Sequence, residues 1–378
     1  MRIKRSAALM GITASLALSG FMGSGSDDKS PQWKGKVETI DGVKVVHNPN
    51  VPVYGEVKLE LQKDLSIGRA DDEKYLFFRL RGIDVDPEGN IYVADMRNYR
   101  IQKFDKTGTY LLTFGRQGQG PGEFELPTTV HIDRKTGNVL VRDQVYTIEL
   151  FDPDGNPIRS MRLENAVQDF RVAPDGTILA LMNTISETTA THHLCRVGSD
   201  GQVAKNYAEA PYTMYLERTG DGISGGTTGQ ELAIQFNILD DCSFVYGYSK
   251  EYELTVMDFS GRVLYRIRKD EPYPTFTSGE KAGYKRIPVP DFKPHFYAIF
   301  TDDFGRIYVQ RNKTWAEETN IQKAIDVFSK EGHFLYKTKL PKNTQLIGNG
   351  YIYALESDEE ELIKRYKIKN WNTLKSGL

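Results

Sequence analysis

The chain has 378 residues with 49 basic and 51 acidic side chains, a net charge of −2, so no broad positive field is present to attract a nucleic-acid backbone. Tyr (21), Phe (18) and Gly (34) are plentiful while long Ala/Leu/Glu/Lys stretches are missing, which excludes a helical bundle and favours a β-rich body. Two cysteines, Cys195 and Cys242, fall in different repeat units, and sequence alone does not supply the separation that decides whether they are bridged.

In chain order, Arg2, Lys4 and Arg5 precede an uncharged, largely apolar run from Ala7 to Met22, the pattern of an export signal over residues 1–26. The run falls short of the roughly 20 residues that cross a bilayer. Leu18-Ser19-Gly20 is like the front of a lipoprotein cleavage box, but Phe21 stands where the lipidated cysteine would be. The expected location is therefore the periplasm or the exterior. Residues 27–53 read as an N-terminal extension, followed by a strand within 54–68.

Two hairpin patterns then alternate. The first appears as GIDVDPEGNIYVAD from Gly82, VHIDRKTGNVLVRD from Val130, FRVAPDGTILAL from Phe170, a degraded FNILDDCSFVYGY from Phe236, AIFTDDFGRIYVQ from Ala298 and a shortened LIGNGYIYAL from Leu346. The second begins at Ile101, Ile148, Leu194, Leu254 and Ile325, with a final half-copy, LIKRYKIKNW, from Leu362. Most of these turns join polar residues to a glycine, which supplies a positive φ at little steric cost. Equivalent glycines at 89, 137 and 176 recur at about the 40 to 50 residues of a propeller blade.

These units predict an all-β, six-bladed β-propeller of four-stranded antiparallel blades, with approximate units 80–126, 127–165, 166–230, 231–293, 294–343 and 344–374. The last unit lacks a fourth strand, and the segment from Val57 to Gly68 is expected to supply it, covering an otherwise open edge. The run FGRQGQGPGEFELPTTVHIDRKTGNVLV, with DPEGNIYVAD before it, resembles the NHL-repeat group, and the whole plan resembles exported six-bladed propellers of Bacteroidetes. Lactonase-like propellers hold calcium at the central opening and amidating lyases hold zinc through several histidines. Neither ligand set can be placed on this chain residue by residue.

Ligands of propellers meet the ends of the inner strands, and here Arg81, His131, Asp169, His295 and Tyr297 are expected at or near that rim. His131 and His295 belong to the second and fifth units, opposite one another in a ring of six; two imidazoles suit zinc, but no third ligand can be named. Insertions at 210–230 and 270–294 offer Tyr212, Tyr215, Tyr273, Tyr284 and Arg286 over the same face, and a polar loop offers Trp315. The expected function is recognition of an envelope or extracellular protein, peptide or glycan by a monomer without a cofactor. The alternative is a calcium- or zinc-dependent hydrolase, lactonase or lyase at the channel.

Overall fold

A computed structural model describes residues 31–186, 190–212, 215–219, 222–226, 232–240, 242–283, 292–312, 322–357 and 360–375, with the side chains of 215–219, 222–226, 280, 282–283 and 322–323 left aside. Blade 1 consists of Leu80–Val85, Ile91–Asp95, Arg100–Phe104 and Tyr110–Phe114. Blade 2 is Pro127–Ile132, Val139–Asp143, Thr147–Phe151 and Pro157–Arg162. Blade 3 is Ala166–Val172, Ile178–Ile185, Ala190–Val197 and Val203–Tyr212. Blade 4 is Ile234–Ile238, Ser243–Tyr248, Glu253–Asp258 and Val263–Lys269, and blade 5 is Phe296–Thr301, Ile307–Arg311, Gln322–Phe328 and Phe334–Pro341.

Blade 6 takes Thr344–Gly348, Tyr351–Ser357 and Glu361–Ile368 from the end of the chain and Leu61–Ile67 from its beginning. Ile363 stands opposite Ile67, and Ile368 opposite Leu61. The fold is thus the six-bladed propeller closed by its N-terminal strand that the repeats predict.

Local chemistry explains the hairpins. In the first, the Asp86 N–H donates to Asn90 O (3.0 Å), the Gly89 N–H donates to Asp86 O (3.0 Å), and the Asn90 N–H donates to Asp86 Oδ1 (2.8 Å). Gly89 has φ +89°, which a residue with a Cβ adopts only under strain. The same arrangement returns at Asp105/Gly108, Asp152/Gly155, Asp258/Gly261 and Asp302/Gly305.

A lone four-stranded sheet cannot bury both faces, and the core shows how the ring solves this. Six apolar clusters lie one at each blade-to-blade junction. Tyr92 and Ile101 meet Val130 and Phe151 between blades 1 and 2, and Ile67 and Ile363 meet Ile83 and Phe104 between blades 6 and 1. Blade 1 approaches blade 2 so closely that a Cβ on Gly82 would sit 2.8 Å from Val130 N and 2.9 Å from Thr129 Cα. Both are backbone atoms, so neither yields as a flexible side chain would. Gly82→Ala is expected to cost about 1–3 kcal/mol in urea unfolding. A midpoint equal to that of the parent would show that the blades separate freely.

The N-terminal segment does more than close the ring. Lys36–Ile40 and Val43–Asn48 form a hairpin whose second strand pairs parallel with Val263–Lys269, widening blade 4 to six strands. Asn48 fastens it: Nδ2 donates to Gly332 O (2.9 Å) and Oδ1 accepts from the Phe334 N–H (2.7 Å) and from Trp33 Nε1 (2.9 Å). Trp33 stacks on His333 at 4.1 Å. Residues 53–57 then run beside the outer strand of blade 5, with the N–H groups of Val53, Tyr54 and Val57 donating to the carbonyls of Phe334, Leu335 and Lys337.

Candidate functional site

The six inner strands surround a central channel of about 1610 Å³. In five of them a β-bulge falls near the start, at Leu80/Ile83, Pro127/Thr129, Val167/Asp169, Phe296/Ala298 and Thr344/Leu346; blade 4 has none. Bulges re-aim side chains. Arg81, Thr128, Gln168 and Gln345, which lie at these bulges, line the channel.

Deeper in, the residue one place before the last strand pair is Asp84, His131, Arg171 and Asn237 in blades 1 to 4 and Phe300 and Ile347 in blades 5 and 6 when each is matched by register, and all six line the channel. At this level the wall is therefore polar in blades 1 to 4 and apolar in blades 5 and 6. His131 Nδ1 lies 3.5 Å from Asp84 Oδ2, and Arg171 Nη1 lies 3.5 Å from His131 Nε2 and 2.7 Å from Asp169 Oδ2. Because the guanidinium can only donate, Nε2 accepts and the imidazole proton is assigned to Nδ1, facing Asp84. Burial alone would raise the Asp84 carboxyl, but the His131 contact, the Arg134 charge and the Ile132 N–H together hold it below the usual carboxylate range.

Most of these groups tie blades together. Asp84 accepts from the Ile132 N–H of blade 2 (2.9 Å), Arg142 donates to the Val167 carbonyl of blade 3 (2.8 Å) and to Gln168 O, and Asn237 Nδ2 donates to Ile299 O of blade 5 (3.1 Å). Glu361 of blade 6 accepts from the Leu80 N–H of blade 1.

Subtracting these engaged groups leaves Arg79, Arg81 and Arg97, which line the mouth where the inner strands begin. No side-chain ion pair or hydrogen bond engages them among the described residues. Arg79 has φ +67°, a left-handed conformation uncommon outside glycine, and its carbonyl accepts from the Met96 N–H (3.3 Å). Asp95 and Arg100 stiffen the loop that carries it: Asp95 Oδ1 accepts from the Phe78 N–H (2.8 Å) and Arg100 Nη2 donates to Leu76 O (2.7 Å). Backbone strain held by such supports often marks a functional position.

The residues singled out by sequence separate into groups. Arg81, His131 and Asp169 meet in the channel. Tyr297 occupies the bulge of blade 5. His295 lies instead in a recess of about 130 Å³ between blades 4 and 5, beside Tyr252 and Tyr273, so the two histidines do not share a cavity. Tyr273 is half exposed and donates to Glu251 Oε1 at 3.2 Å. Tyr284, Arg286 and Trp315 lie outside the described residues, as does the side chain of Tyr215. Sequence reading did not single out Arg79, Arg97, Arg142 or Arg171; aligning the inner strands places Arg171 at the same position as His131, a signal that was available.

Tyr212 stacks on the buried His192 at 4.2 Å. His192 Nδ1 accepts from the Ile234 N–H (3.1 Å), joining blade 3 to blade 4, and burial, helped by the charge of His193, lowers its pKa to about 4. The folded protein thus resists a proton that the unfolded chain accepts near pH 6.5, so stability is complete above that pH and falls as acid is added toward pH 4. The expected loss is roughly 3 kcal/mol over that interval. Urea midpoints from pH 7.5 to 4.5 should show the loss, and His192→Gln should flatten it; an equally steep fall in the variant would assign the effect elsewhere.

Among the described residues no three His, Cys, Asp or Glu side chains converge as metal ligands, and no helix is long and apolar enough to cross a membrane. Cys195 is a buried free thiol whose Sγ points to Ala180 O (3.6 Å).

Residues 72–212, spanning blades 1 to 3, match a family described as 6-bladed beta-propeller. Protein brain tumor of Drosophila melanogaster is 32% identical over 80 residues, 21% of this chain, which spans only 8% of that protein's length. A Bacteroides fragilis protein described as exported superposes with a TM-score of 0.55 at 12% identity, covering 86% of this chain and 99% of the other. A duf4221 family member from Bacteroides vulgatus gives 0.46 at 12% identity over 82% and 98%, and virginiamycin B lyase from Staphylococcus aureus gives 0.43 at 13% over 82% and 99%. At 12% identity the likeness to the Bacteroides fragilis protein is one of fold, and the chain is a six-bladed β-propeller.

Proposed function

We propose that the chain is an exported recognition module of NHL type that holds a protein, peptide or glycan at the mouth of its channel without covalent chemistry. The observation that carries this reading is the set Arg79, Arg81 and Arg97, three guanidinium groups on a braced loop and strand that the fold itself leaves unused. Both ring nitrogens of His131 already face partners, which weighs against a role for it as a zinc ligand or general base.

Capture from envelope extracts, with bound species identified by mass spectrometry, tests the proposal. The combined Arg79→Gln, Arg81→Gln and Arg97→Gln variant should lose the species held by the parent while its stability stays within about 0.5 kcal/mol. Equal recovery by both proteins would refute a role for this mouth.

A further inference from the structure

The unused arginines are accompanied by apolar side chains that the fold also leaves uncovered. Eleven large apolar residues are exposed among the described residues, and five of them, Leu76, Phe78, Leu126, Val145 and Tyr146, lie at the mouth end of blades 1 and 2. Phe78 is 63% exposed although its neighbour Phe77 is core. The two loops are coupled to the strands behind them: the Arg97 N–H donates to Phe78 O (3.0 Å) and the Gln144 N–H to Leu126 O (3.1 Å). This surface is thus fixed in place before anything binds.

Arg142 adds an independent sign. Its guanidinium is set into the wall of the mouth, yet the groups that receive its hydrogen bonds are the Thr128 hydroxyl and the carbonyls of Val167 and Gln168, all neutral. Burial lowers its pKa, with Asp169 acting in the opposite sense from a distance. A half-buried cation with neutral partners gains from an added anion.

We infer that the arginine arc and apolar rim of blades 1 and 2 form a docking site for an extended acidic peptide segment that also carries apolar side chains. The inference rests on the recognition reading and names the class of ligand. Guanidinium groups pair with carboxylates in two parallel hydrogen bonds, and alternating side chains of an extended peptide reach both arc and rim. A flat anionic membrane does not fit, because Arg79, Arg81, Arg97 and Arg142 line a concave channel rather than a projecting surface. An acidic sugar satisfies the arginines but makes poor use of Leu76, Leu126 and Val145, which are aliphatic and offer no ring for stacking.

The experiment is fluorescence anisotropy on the full chain with a labelled peptide of sequence Asp-Glu-Leu-Phe-Asp-Glu-Leu. Removing one of Arg79, Arg81 or Arg97 as glutamine should weaken binding about tenfold, and Phe78→Ala by a similar factor. Raising salt from 50 to 300 mM should weaken it further. The peptide with Asn and Gln in place of its acids should bind at least about tenfold more weakly, as expected if carboxylates carry the contact. Equal binding of the neutral peptide, or unchanged binding by the triple glutamine variant, would overturn the assignment. Binding of a hexauronate, or of phosphatidylglycerol vesicles, through the same arginines in place of the peptide would also overturn it while leaving recognition at this mouth intact.

Discussion

Asp326→Ala is expected to lower the unfolding free energy by about 3–5 kcal/mol, because it strands a buried charge. The side chains of Lys269, at the end of blade 4, and Asp326, in blade 5, are both 0% exposed. Lys269 Nζ lies 2.7 Å from Asp326 Oδ2 and 2.6 Å from Glu271 Oε1, and it sits 4.7 Å from the ring centres of Tyr252 and Phe334. Tyr252 donates its hydroxyl to the same Oδ2 (2.7 Å). Loss of the aspartate leaves the ammonium with half its countercharge and the tyrosine hydroxyl without its acceptor.

A paired replacement separates the cost of breaking the pair from its net contribution. Lys269→Met with Asp326→Leu removes both charges and keeps the volume, so it should recover about 1–4 kcal/mol of the single variant's loss. Glu271 keeps its two contacts to Arg311 Nη2, at 2.8 and 2.9 Å, in that background. Urea unfolding of the parent, the single variant and the paired variant gives the answer. A single-variant loss below about 1 kcal/mol would mean that water reaches the pair and screens it.

Removing residues 31–70 should abolish the soluble monomer. The deletion takes Ile67 and Leu59 out of the cores on both sides of blade 6, each worth about 2–5 kcal/mol, from a fold whose whole margin is 5–15 kcal/mol in typical cases. It also bares the backbone of Glu361–Ile368, an unpaired edge that invites association with other copies. Removing 31–48 alone spares the four ring strands of blade 4 and should leave a monomer. Sedimentation of both proteins decides the matter. A folded monomer after the longer deletion would show that the ring does not need its N-terminal strand.

How much of this was legible follows from the range of the forces involved. The Asp-x-x-Gly turns are local, set by φ and by one carboxylate, so blades 1, 2 and 5 stand out in the sequence. The closing strand was legible by subtraction, since LIKRYKIKNW has no partner after it. Placing residues 27–53 outside the ring passes over a hairpin that Asp41-Gly42 announces, both residues having positive φ. Its parallel docking on blade 4 depends on Asn48 reaching Gly332 and Phe334, contacts between distant parts of the chain that leave no periodic trace.

The site follows the same division. Arg81, His131 and Asp169 could be placed on the channel wall because they occupy repeat positions on the inner strands. Arg79 was hidden because its left-handed conformation comes from a loop braced by Asp95 and Arg100. His295 was expected at the channel from the alignment of the inner strands, but it lines a separate recess between blades 4 and 5.

The closing strand also fixes an order of events in time. Asp64 and Arg365 pair across 301 positions of chain, so the strand Leu61–Ile67 leaves the ribosome ahead of every blade and meets its partner only after the other five have been made. Contacts of such span slow folding, and a late, concentration-independent phase should follow formation of blades 1 to 5. Pulsed hydrogen exchange during refolding reads it directly as delayed protection of the Leu65 and Ile67 amides. Until that phase ends the disc is an open arc, and this is the interval in which proteases have access to it.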